Sequence, residues 1–157
     1  MNGDFKSEKH HQDNIAIIVD EEGKQTQQQS YAELDKHSNQ LANTLKSLDC
    51  EQGDRVMLCL PNCMEFPLAF FGTLKLGAIA VPSSMLLSGD ELDYLAKDSG
   101  AKVLITAKNM WSELKELIEA DTQLEAIYLA GEGDMPSGIN DLKIKIYDFE
   151  QLLSDNQ

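Results

Sequence analysis

The stretch that decides the fold runs Gly53-Asp54-Arg55-Val56-Met57-Leu58-Cys59-Leu60-Pro61-Asn62, continues through Met64 to Leu76, and closes with Gly77-Ala78-Ile79-Ala80-Val81-Pro82. Gly53-Asp54 is a turn. The continuous apolar run behind it fits a strand covered on both faces. Pro61-Asn62 breaks that strand, and Asn62 with Glu65 three residues later is expected to cap the next helix. Met64, Phe66, Leu68, Phe70, Phe71, Leu74 and Leu76 cover nearly every face of that helix, so burial on several sides is expected. Pro67 falls in the first turn, where a missing N–H costs least. Gly77 terminates the helix, and Ala78 to Val81 is a second core strand stopped by Pro82. Strand, crossover helix and strand in this order make a parallel pair.

The same alternation extends both ways. Ile15 to Val19, the turn Asp20-Glu21-Glu22-Gly23 and Gln25 to Gln29 read as a hairpin with an edge strand. Ser30-Tyr31-Ala32-Glu33 is a capping box. Tyr31, Leu34, Leu41, Leu45 and Leu48 then stripe a helix over 31–48. Downstream, Ser88-Gly89-Asp90-Glu91 caps a helix carrying Leu92, Leu95 and Ala96, which Gly100 ends. Lys102 to Thr106 is a strand. Met110, Leu114, Leu117 and Ile118 stripe a helix. Ala126 to Ala130 and Lys143 to Tyr147 are strands, the second with Ile144 and Ile146 on one face, and Asp148 caps a last short helix. The fold class expected is α/β: a three-layer, mostly parallel open sheet with helices on both faces. Residues 1–14 are expected to form a flexible leader and residues 15–157 a single α/β domain.

Composition narrows the function. The 157 residues hold 13 Lys plus Arg against 27 Asp plus Glu, a formal charge of −14. With a pI near 4.4, binding to nucleic acid or to an anionic membrane is disfavoured, because both need clustered cations. The first residues lack the apolar core of a signal peptide, and no apolar run reaches the ~20 residues of a membrane span. A cytoplasmic location is expected. Cys50, Cys59 and Cys63 do not form a disulfide framework and lack zinc-ligand spacing, so they read as small apolar residues. His10 and His11 sit in the polar leader, without the converging ligands a metal needs.

The sequence carries few of the patterns that mark a catalytic or nucleotide-binding site. No G-x-x-x-x-G-K-[ST] loop or G-x-S-x-G elbow occurs. Gly131-Glu132-Gly133-Asp134-Met135-Pro136 follows a strand and begins like a dinucleotide loop. However, Pro136 replaces the third glycine, and Glu132 and Asp134 would repel a pyrophosphate. Ser83-Ser84 follows a strand end, where ligands of α/β sheets gather. His37 sits mid-helix beside Leu34 and Leu41 and reads as a half-exposed helix residue; nothing in the sequence brings it to Cys63. Glu113, Glu116, Glu119 and Asp121 fit solvation and pairing with Lys115.

Five segments, in order, resemble the start of an adenylate-forming enzyme of the acyl-CoA synthetase branch. They are Ser30-Tyr31-Ala32-Glu33-Leu34; Gly53-Asp54-Arg55-Val56; Leu60-Pro61-Asn62 with Glu65-Phe66; Leu74-Lys75-Leu76-Gly77-Ala78 with Val81-Pro82; and Asp98-Ser99-Gly100-Ala101-Lys102-Val103-Leu104-Ile105-Thr106. The resemblance implies ATP-dependent activation of a carboxylic acid through an acyl-adenylate, followed by transfer to coenzyme A, with magnesium assisting. It also implies a longer enzyme. The family's phosphate loop ending in Pro-Lys, its later nucleotide-contacting motifs and its C-terminal domain do not occur in these 157 residues. The matched segments are framework, so no catalytic, cofactor-binding or metal residue is assigned, and the chain alone is expected to bind no cofactor and to be inactive. The Ser83 to Leu87 loop, where some relatives place a basic contact for coenzyme A, carries no cation. Expected partners are the remainder of the enzyme and, through exposed apolar surface, a second copy. A noncatalytic binding or scaffolding module, a carrier-protein-loading adenylation domain and a fatty acyl-AMP ligase are the alternatives.

Overall fold

The computed structural model describes residues 12–21, 23–119 and 122–154. Residues 1–11 of the expected leader lie outside them, His10 and His11 included. Gln12 and Asn14 do have partners: their carbonyls accept the N–H groups of Ala32 and Tyr31 at 2.9 and 3.0 Å.

A hairpin of β1 (Ile15–Val19) and β2 (Gln27–Ser30) precedes the main sheet. Then follow α1 (Tyr31–Ser47), β3 (Arg55–Cys59), α2 (Glu65–Leu76), β4 (Ile79–Pro82), α3 (Gly89–Ser99), β5 (Val103–Ala107), a 3-10 segment (Lys108–Leu114) running into α4 (Lys115–Glu119), β6 (Ala126–Ala130), β7 (Lys145–Asp148) and α5 (Phe149–Ser154). The five strands after the hairpin form one sheet in the order β4-β3-β5-β6-β7, and every neighbouring pair is parallel.

Strand alternation divides the core in two. Val56, Leu58, Val103, Ile105 and Tyr128 pack under α1, α2 and α5, against Leu41, Leu45, Leu68 and Phe149. Met57, Cys59, Leu104, Ile127 and Leu129 face the other way, against Leu92 and Ala96 of α3 and Met110, Leu114 and Leu117 beyond β5. Both faces of the sheet are thus covered, and the architecture is the expected three-layer α/β fold. Each fully buried Leu or Phe contributes about 2 kcal/mol of transfer free energy.

Helix ends follow the sequence closely. Ser30 Oγ accepts the Glu33 N–H while the Glu33 carboxylate takes the Ser30 N–H, a complete capping box. Ser88 and Glu91 repeat it at α3. Gly77 and Gly100 close α2 and α3 in the left-handed region, at φ 80° and 61°. The Asp148 carboxylate accepts the Glu150 N–H at 3.0 Å and caps α5.

Three expectations change. Asn62 does not cap α2: the helix begins at Glu65 behind Met64, with no side-chain cap. The chain turns instead through Cys63, whose N–H reaches the Pro61 carbonyl at 2.9 Å. Second, the burial of α2, on several sides at Leu68, Ala69, Gly72 and Thr73, stops short of Phe71 and Leu74, which are 42% and 47% exposed. Third, the stripe from Met110 begins as a 3-10 segment and becomes α-helical only at Lys115.

α1 and α2 approach closely at Gly72. A Cβ placed there would lie 2.7 Å from Leu41 Cδ2 and 2.8 Å from Leu41 Cβ, and Leu41 is fully buried. Gly72→Ala is expected to lower unfolding stability by about 1–3 kcal/mol through overpacking, despite its better helix propensity. Urea denaturation checks this; a midpoint equal to or above that of the parent chain would refute the tight crossing.

Candidate functional site

The C-terminal ends of parallel strands are where α/β sheets receive ligands. Here the ends of β3, β5 and β6 open into a groove of about 1270 Å³, walled on the far side by the β1–β2 hairpin and the start of α1. Its lining includes Asp20, Glu21, Glu33, Glu65 and Glu132, with only Lys24 and Lys108 to balance them. Lys24 pairs with Glu21 at 3.1 Å. Lys108, only 10% exposed, reaches Asp148 at 3.2 Å and Glu150 at 3.4 Å.

The glycine turn after β6 is closed from within. Gly131, at φ 92°, donates its backbone N–H to the Glu150 carboxylate at 2.8 Å. A side-chain anion from α5 therefore occupies the donor that a phosphate would need. Burial, with Asp148 close by, pushes the Glu150 carboxyl above its ordinary range. Burial also works against the Lys108 ammonium, but the Asp148 hydrogen bond and the charges of Glu150 and Asp148 outweigh it, and its pKa stands above the usual value. Together Lys108, Asp148, Glu150 and Gly131 clasp β5, β6, β7 and α5.

The other candidates are likewise engaged in the fold. Ser83 Oγ donates to the Leu58 carbonyl at 3.3 Å, and Ser84 Oγ accepts the Leu86 N–H at 3.1 Å. Cys59 is buried and its Sγ donates to the Ser84 carbonyl. His37 and Cys63 both line the groove, but neither is prepared for nucleophilic work. His37 Nδ1 is hydrogen-bonded to the Gln29 side-chain amide at 2.7 Å. Burial, and then Glu65, push the Cys63 thiol up to about 12, whereas a reactive cysteine has its pKa lowered. Among the described residues no group of three His, Cys, Asp or Glu side chains converges as a metal site. The carboxylates of the lining and the filled glycine donor do not fit the phosphates of ATP or a phosphate-bound magnesium. The clasp residues Lys108 and Glu150 carried no local sequence signal, because their contacts join positions 40 and 42 apart.

The geometry defines a class: a parallel α/β framework with a ligand-side groove whose own chemistry is neutralised internally. The chain belongs to the AMP-binding enzyme family, whose sequence model matches residues 5–148. Among curated relatives it is 36% identical over 121 residues to the crotonobetaine/carnitine–CoA ligase of Salmonella paratyphi A, covering 76% of this chain and 23% of that protein; the protein of the same name from Salmonella typhimurium matches equally. Among solved structures, an anthranilate CoA ligase in complex with anthranoyl-AMP superposes with a TM-score of 0.72 at 28% identity, over 82% of this chain and 23% of the other. Coronafacic acid ligase from Pectobacterium brasiliense gives 0.69 at 30% identity, over 82% and 25%. A long-chain-fatty-acid–CoA ligase from Archaeoglobus fulgidus shares the fold with a TM-score of 0.73 at 18% identity, over 92% and 27%. The chain spans under a quarter of the length of these curated relatives.

Two outcomes follow from the site. Burial, then Lys36, lowers the His37 pKa from its ordinary 6.5, so the folded state prefers the neutral ring. The stability it contributes is intact above 6.5 and is lost as pH falls through the lowered folded-state value. Comparing thermal midpoints of the parent and His37→Gln from pH 7.5 to pH 5 should show a steeper acid loss for the parent; parallel curves would contradict it. Iodoacetamide should modify Cys63 at pH 8 at least tenfold more slowly in the folded than in the urea-unfolded chain, read by peptide mass analysis. Equal rates would refute the raised thiol pKa.

Proposed function

We propose that the chain is the N-terminal framework of an ATP-dependent acid–CoA ligase, one that activates a carboxylic acid as its acyl-adenylate before transfer to coenzyme A. Within it, residues 15–157 act as one α/β domain behind a leader of residues 1–14. ATP, magnesium and coenzyme A belong to the whole enzyme rather than to these residues, which carry no catalytic, cofactor-binding or metal role and are inactive alone. No described helix is long and apolar enough to cross a membrane, and the location proposed is cytoplasmic.

One observation carries this reading: the family resemblance falls on residues that hold backbone together. Ser30 and Glu33 cap α1, Gly53 turns the chain at φ 87°, Arg55 binds the end of α3, and Gly77 and Gly100 terminate helices. The turn nearest to a phosphate loop is filled by Glu150. The curated relatives and structural neighbours are CoA or acid ligases by name, which supports the acid-ligase class.

The purified 157 residues, incubated with ATP, magnesium and a panel of aliphatic and aromatic acids, are expected to release no pyrophosphate above a protein-free control. Acid-dependent turnover would overturn the assignment of these residues as framework.

A further inference from the structure

Both lysines that line the groove are already engaged. Lys24 pairs with Glu21 at 3.1 Å, and Lys108 pairs with Asp148 and Glu150. Glu33 is held by Ser30 in the capping box of α1. Three lining carboxylates, those of Asp20, Glu65 and Glu132, have no ion-pair partner among the described residues. Asp20 follows β1 in the hairpin, whereas Glu65 opens α2 and Glu132 follows β6. They therefore stand on both walls. These walls face each other, since the charge of Glu132 reaches Lys24 on the hairpin and helps to raise its pKa.

A second, uncharged group lacks a donor at the same place. Gln29 lines the groove from β2 and is only 6% exposed. Its amide is directed at His37, itself a lining residue, where Nε2 meets Nδ1 at 2.7 Å. Its Oε1 has no hydrogen-bond partner among the described residues. A buried acceptor left unpaired costs free energy. Neither lining lysine is free to fill it, so the donor that fits is one brought by a ligand.

The chemistry selects that ligand. Carboxylates and an amide oxygen accept N–H bonds, and a cleft lined by one sign of charge focuses its field on the opposite sign. A compact metal ion does not fit, because among the described residues no three His, Cys, Asp or Glu side chains converge. The groove, at about 1270 Å³, is far larger than one ammonium group, and its unpaired carboxylates are divided between two walls. Such a site suits several ammonium groups spaced along a flexible chain.

We propose that the groove binds a linear polyamine between Asp20 on one wall and Glu65 and Glu132 on the other, with Gln29 Oε1 accepting an N–H from it. The site belongs to this chain and stands apart from the ligase reading.

Calorimetric titration of the 157-residue chain with spermidine at low ionic strength tests it. Glu65→Gln combined with Glu132→Gln is expected to weaken binding about tenfold. Asp98→Asn combined with Glu113→Gln removes the same two charges from exposed positions outside the groove, and is expected to weaken it about twofold or less. Gln29→Met, which removes the unpaired oxygen, is expected to weaken binding about fivefold. Thermal melts confirm that each variant folds; Glu132→Gln alone, at an exposed turn position, replaces the first pair if that pair does not. Magnesium at matched ionic strength is expected not to displace spermidine. Equal weakening by the two double variants, full affinity in Gln29→Met, displacement by magnesium, or no measurable spermidine binding each overturns the site.

Discussion

The corner from Asp49 to Arg55 ties the parallel sheet together at its N-terminal side. Gly53, at a φ open to glycine, donates its N–H to the Gly77 carbonyl at the end of α2. Asp54 Oδ2 accepts the Glu51 N–H at 2.8 Å, and its carbonyl receives Ile79 of β4. Arg55 sends Nε to the Ser99 carbonyl and Nη2 to the Gly100 carbonyl, at 2.8 and 2.7 Å, and so satisfies the carbonyl end of α3. Lys102 Nζ returns to the Asp49 carbonyl. Helix C-termini leave carbonyls without intrahelical partners, and the rigid fork of the Arg55 guanidinium holds two of them. The register of β4, β3 and β5 is set at this one corner.

That corner joins two segments that lie far apart in the sequence. Gly53-Asp54-Arg55-Val56 and Ser99-Gly100-Ala101-Lys102 are donor and acceptor halves of the same junction. Gly100 is confined twice: by its φ of 61°, and because a Cβ there would lie 2.7 Å from Arg55 Nη2. The Asp54 carboxyl is held below its ordinary range, first by the Glu51 N–H and then, against the opposing effect of burial, by Lys102. It stays charged at neutral pH and continues to hold the turn.

Much of this architecture was legible in the residues, because the signals are local. Ser-x-x-Glu boxes, helix-ending glycines and unbroken apolar strands each act over a few positions, and α1, α3, β3 and β6 lie where those rules put them. The misreadings have a common cause in tertiary context. Asn62 looked like a cap, but the Pro61–Cys63 turn carried the chain past it before the helix began. The apolar positions of α2 cover nearly every face, yet Phe71 and Leu74 stay partly exposed while Leu68 and Ala69 are buried. The clasp of Lys108, Asp148 and Glu150 was invisible because its members are far apart in sequence and become neighbours only once β5, β6 and β7 are in parallel register.

The contacts within the groove determine what the strand ends present on their ligand side. A phosphate site at a strand end needs free backbone donors and a positive field. Here the Gly131 donor is taken by Glu150, the cation Lys108 is taken by two carboxylates, and the other charged groups of the lining are mostly acidic. These contacts have a structural consequence: they fix α5, whose Phe149 is fully buried and Leu152 nearly so, against β6 and β7. A nucleotide placed at that turn would have to displace a carboxylate already held by a hydrogen bond and an ion pair, and would meet further negative charge in doing so. The same residues that complete the sheet therefore place carboxylates, rather than free backbone donors, at the turn on its ligand side.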